Sequence, residues 1–98
     1  MKGEIILSGQ AYGIRCDMNV IEAIEDHFGG IAEITKQRSV SATKFLAAEM
    51  MNEHWYAASS PERVTPEWVG MQMLPTEYAD VWQNVIQCFI DSVSVKKK

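Results

Sequence analysis

The chain has 98 residues, 47% of them hydrophobic, enough for one domain to bury a core without help from disulfides or metal. Its formal net charge is -4; three of its nine basic residues are Lys96, Lys97 and Lys98, so residues 1–95 set six basic groups against thirteen acidic ones and stand at -7. A body that acidic is repelled by phosphate backbones, no apolar run approaches the ~18 residues of a membrane span, and two distant cysteines make no disulfide framework, which argues against a nucleic-acid coat, a membrane protein and a secreted disulfide scaffold.

The N-terminal text "MKGEIILSGQ" has too short an apolar part, broken at Gly9, for a signal peptide. It reads instead as the start of a β-hairpin. Ile5 and Leu7 alternate with Glu4, Ile6 and Ser8, "SGQA" is the turn, and Tyr12, Ile14 and Cys16 alternate again. Gly13 weakens the second strand or marks a bulge. Two strands alone are marginal in water, so helices must cover one face.

"DMNVIEAIEDHFGG" predicts a helix. Asp17 or Asn19 can cap it, and Asn19 with Glu22 has the spacing of a capping box. Val20, Ile21, Ile24 and Phe28 form one apolar stripe, and Gly29 suits the end. "IAEITKQ" predicts a short second helix. "SATKFLAAEMMNEHWYAA" predicts a longer third, capped by Ser39 or Ser41, with Phe45, Leu46, Met50 and Trp55 on its buried side. A loop through "SSPERV" leads to a fourth helix with Thr65 as N-cap, Pro66 at the first helical position and Glu67 in the first turn. Pro75 punctuates it. The last helix repeats Val81, Trp82, Val85, Ile86, Phe89, Ile90 and Val93 by fours and threes. The expected fold is α+β: an N-terminal β-hairpin followed by a mostly α-helical bundle of about four to five helices, in one domain over residues 1–95, with 96–98 as a flexible basic tail.

Catalytic text is sparse. His27 and His54 have no metal-ligand spacing and read as helix-surface or boundary histidines. Cys88 beside the last apolar stripe reads as a buried inert thiol, and Cys16 has no evident base partner. "FGG" closes a helix where a phosphate loop would open one. Asp17, Glu22, Glu25, Asp26 and Glu33 lack the order of a calcium loop and read as a solvated acidic face, or one that meets a basic partner. The expectation is a protein that is not an enzyme and takes no cofactor and no metal. Its methionines and aromatics are more suggestive, because Met-rich surfaces suit adaptable peptide binding. Met51, Trp55, Tyr56, Trp68, Met71 and Met73 are the candidate partner-binding residues.

"GGIAEITKQRSVSATKFLAAEM" has the outline of a helix-turn-helix. Thr35, Arg38 and Ser39 stand where alanine, an apolar residue and glycine are usual, and Lys44 is the one cation at the start of the would-be recognition helix. The preceding acidic helix would lie against the DNA backbone, so electrostatics argue against DNA.

The whole-chain pattern resembles the small tail assembly chaperones of long-tailed phages and phage-derived gene transfer agents. The resemblance runs over roughly residues 3–93 and rests on "GEIILSGQAYGIRCDMN" leading into "VIEAIEDHFGGIAEI", then "KFLAAEMMNEHW", "VTPEWVGMQM" and a long closing helix. Tyr12-Gly13 and the number of methionines depart from the family pattern. The resemblance implies a non-enzymatic role in building the tail, in the cytoplasm of a bacterial host. The chaperone would bind the tape measure protein and keep it soluble until tube subunits polymerise around it. It also implies the tail tube protein and a frameshifted longer form of the chain itself as partners, a homo-oligomeric state, and neither nucleic acid nor membrane. Lys96-Lys97-Lys98 reads either as a solvated tail or as the product of an adenine run on which ribosomes slip. A small helix-turn-helix regulator, or another phage structural part such as a head-tail connector or tube-associated protein, is the alternative.

Overall fold

The computed structural model describes residues 2–36 and 38–94, without the side chains of Ala32 and Glu33. The expected Lys96–Lys98 tail and the end of "IAEITKQ" at Gln37 lie outside the described residues. The order is β1 (Lys2–Leu7), β2 (Gln10–Arg15), α1 (Met18–Phe28), a 3-10 segment (Ile31–Lys36), α2 (Val40–Ala57), α3 (Pro66–Gln72), a 3-10 turn (Pro75–Glu77) and α4 (Tyr78–Val93). This is an α+β fold: an antiparallel hairpin, then four α-helices.

The hairpin turn is tighter than "SGQA". Leu7 pairs with Gln10, so only Ser8 and Gly9 form the loop, at φ 52° and 79°. Two positive-φ residues make the turn whose twist matches the strands. Ile5, Leu7, Ile14 and Cys16 point inward and are buried, with α4 against β1 and α2 against β2. Gly13 marks no bulge, because the register runs unbroken from Lys2↔Arg15 to Leu7↔Gln10. Its role is steric: a Cβ there would lie 2.6 Å from Cε1 and Nε2 of His54, whose ring covers the glycine.

In α1, Val20, Ile21 and Ile24 are buried. Gly29 ends the helix at φ 83°, and its N–H donates to the Glu25 carbonyl. The capping expectation holds only in part. Asp17 is the N-cap residue, but its carboxylate is paired with Arg15, Nε to Oδ2 at 3.0 Å, and Asn19 lies inside the helix with its amide on Glu53. No Asn19–Glu22 box forms. The second helix is 3-10 in form.

Ser39 caps α2 by accepting the Ala42 N–H at 3.0 Å. This helix is the centre of the domain. Ala42, Thr43, Leu46, Ala47, Ala48, Met50 and Met51 are all buried, so it is wrapped on most of its sides. The buried Thr43 hydroxyl donates to the Ser39 carbonyl at 2.7 Å, which satisfies it inside the core. Phe45 and Trp55, expected among the buried residues, are half-buried; His27 lies flat on Phe45 with ring centroids 3.9 Å apart. Lys44, the one cation at the start of α2, runs its alkyl chain over Gly70. α4 buries Val81, Trp82, Val85, Ile86, Cys88 and Phe89, while Ile90 and Val93, the last steps of the expected stripe, are exposed.

Candidate functional site

Seven residues make α3, too few for a helix to hold itself in water, and its sequence supplies only the start. Thr65 Oγ1 accepts the Trp68 N–H at 3.1 Å, Pro66 occupies the first turn, and Glu67 adds a favourable charge there. Burial of Val69 in the core and tertiary hydrogen bonds do the rest. Before the helix, the Asn52 amide on α2 both donates to and accepts from the Val64 backbone, at 3.0 and 2.8 Å. After it, the Glu77 carboxylate accepts the N–H groups of Ser8, Gly9 and Leu74 at 2.8, 2.8 and 2.9 Å. The Ser8 hydroxyl donates to the Gln72 carbonyl. The hairpin tip is therefore tied to the link between α3 and α4.

Two of the concave surfaces next to this frame have mostly apolar walls. The first is a cleft of about 410 Å³ between the hairpin, the end of α2 and the start of α3, walled by Tyr12, Trp55, Arg63 and Trp68. Tyr12 and Trp68 meet edge to face at 5.8 Å. Arg63 donates to the Ser60 and Glu62 carbonyls and lies 5.8 Å from the Tyr56 ring centroid. The second is a groove of about 240 Å³ walled by Val40, Gly70, Met73, Leu74, Pro75 and Tyr78. Arg38 covers one side of the Tyr78 ring at 5.3 Å. Val40 and Leu74 are about half exposed, and Met71 on α3 is 80% exposed.

Five of the six residues expected on a partner surface reach solvent here. Trp55 and Trp68 share the first cleft, Tyr56 is exposed beneath Arg63, Met73 lines the second groove, and Met71 projects freely. Met51 does not belong: it is wholly buried, because α2 has core on both sides and the Met50–Met51 pair fills it. Tyr12, Val40, Leu74 and Tyr78 were missed. Tyr12 was legible only as an inward strand residue, and the others carry no signal until α2, α3 and α4 are placed side by side.

The remaining reactive groups are held quiet. Burial raises the Cys16 thiol, and burial followed by the nearby Cys16 pushes Cys88 up to about 11, so both are protonated at neutral pH and poor nucleophiles. No cluster of three or more His, Cys, Asp or Glu side chains among the described residues is arranged to hold a metal ion. No helix of the described residues is long and apolar enough to cross a membrane.

No protein family, curated protein or solved structure matches the chain. The surface around α3 thus has to be judged on its own chemistry.

Proposed function

We propose that the chain is a non-enzymatic binding protein of the tail assembly chaperone kind, which covers apolar surface of a tape measure protein and keeps it soluble during tail tube assembly. The observation that carries this reading is the groove beside α3. Met71, Leu74 and Val40 leave large apolar side chains in water around it, on a protein that is otherwise acidic. Exposed apolar groups gathered at a groove favour a partner's apolar face, and methionine adapts to an imperfect one. Net negative charge on the rest of the surface would lend the complex solubility. Assembly into a homo-oligomer, contact with the tail tube protein, a frameshifted longer product and a place in the cytoplasm of a bacterial host belong to the same proposal.

The test is co-expression with a tape measure protein encoded in the same gene neighbourhood. The proposal expects the two to co-purify and the soluble yield of the tape measure protein to rise. Unchanged yield and no co-purification would overturn it. The gene sequence tests the frameshift separately: codons for Lys96–Lys98 without a slippery run, or no overlapping downstream frame, would remove that part.

A further inference from the structure

The 410 Å³ cleft is a separate feature from the groove, and its chemistry points to a different occupant. Its walls are two indoles and a phenol, Trp55, Trp68 and Tyr12. Among the described residues none of their N–H or O–H groups has a hydrogen-bond partner, and none is sealed from solvent, since the only buried side-chain oxygen or nitrogen without a partner is Asp17 Oδ1. Aromatic side chains with unused polar tips favour a ligand that brings flat apolar surface together with hydrogen-bond acceptors. Arg63 adds guanidinium donors to the same wall. The one carboxylate at the cleft, Glu62, has no ion-pair partner among the described residues.

That balance separates three ligand classes. A simple organic cation would gain from the aromatic faces but brings no acceptor for the indole, phenol and guanidinium donors. An ordinary extended strand would bring as many N–H donors as acceptors to a wall that already supplies donors. A proline-rich segment brings pyrrolidine rings for the aromatic faces and carbonyls with few competing N–H groups, and it is already extended in the polyproline II form. A basic residue flanking it would find Glu62. We infer that this cleft binds a proline-rich extended segment of a protein partner, with a flanking arginine or lysine held at Glu62. This inference rests on the cleft alone and stands whether or not the partner is a tape measure protein.

The experiment uses the full chain, 15N-labelled, with indole N–H peaks assigned to Trp55, Trp68 and Trp82. The probe is a synthetic octaproline carrying one terminal arginine. Controls are a Gly/Ser peptide of equal length with the same arginine, and tetramethylammonium chloride. The expected result is a saturable shift of the Trp55 and Trp68 peaks, half complete below about 1 mM, with the core Trp82 peak unmoved. Trp55→Phe keeps the aromatic face, loses the N–H and should weaken the probe about three- to tenfold. Glu62→Gln should weaken the arginine-bearing octaproline about two- to fivefold and leave an uncharged octaproline unaffected. No shift at millimolar probe, equal binding of the Gly/Ser peptide, or tighter binding of tetramethylammonium than of the probe would each overturn the inference.

Discussion

Two residues show how single positions hold this fold. Glu77 is the first. Its carboxylate takes three backbone N–H groups, two of them at the hairpin tip, and the bond from Leu74 leads those that hold it below its ordinary value of 4.5. A carboxylate lowered on folding stabilises the folded state above its ordinary value and loses that effect as pH falls through the lowered one. Unfolding by urea should therefore become easier as pH drops below about 4.5, and Glu77→Gln should flatten that dependence while lowering stability at pH 7. An unchanged acid limb in the variant would contradict the assignment. The second is Gly13. With the His54 ring 2.6 Å from any Cβ placed there, Gly13→Ala should cost about 1–3 kcal/mol. His54→Ala in the same chain should recover much of it, and a double-mutant cycle that comes out additive would show that the ring is not the cause.

At the scale of elements, α3 is the case that matters. Its N-terminus was legible, since Thr65, Pro66 and Glu67 are the residues that begin a helix and they do so here. What holds it was not. Asn52 meets Val64 across a loop, and Glu77 meets Ser8 and Gly9 from 69 and 68 positions away in the chain. Such bonds depend on how elements sit side by side, which a local pattern does not record. Asn52→Ala removes both bonds to Val64 and should cost about 1–3 kcal/mol by thermal unfolding. It should also loosen the 58–65 loop, read as faster amide exchange there. The same limit explains the error over Met51. Periodicity finds a buried face when a helix has one; α2 is buried on most sides, so its apolar text has no clear stripe and an inward methionine passes for an outward one. The hairpin and α4 were more legible because each has one dry face: Ile5, Leu7 and Ile14 on one, Val81, Val85 and Phe89 on the other. Even there the α4 stripe outran its cover, leaving Ile90 and Val93 exposed.

For the molecule as a whole, the proposed role joins an acidic body to a local excess of exposed apolar groups. Met71 and Leu74 contribute little to the core, so replacing both by Ser should move the stability of the chain by no more than about 0.5 kcal/mol per site. If they meet a partner, each would bury apolar area worth about 1–2 kcal/mol, so the double variant should weaken the complex at least about tenfold. The most direct measurement is the soluble fraction of a tape measure protein expressed alone, with the native chain, and with the Met71→Ser, Leu74→Ser variant. The account predicts a high soluble fraction and co-purification with the native chain, and loss of both with the folded variant. A tape measure protein equally insoluble in all three, or equally rescued by the variant, would contradict the claim that the surface beside α3 is where this protein acts.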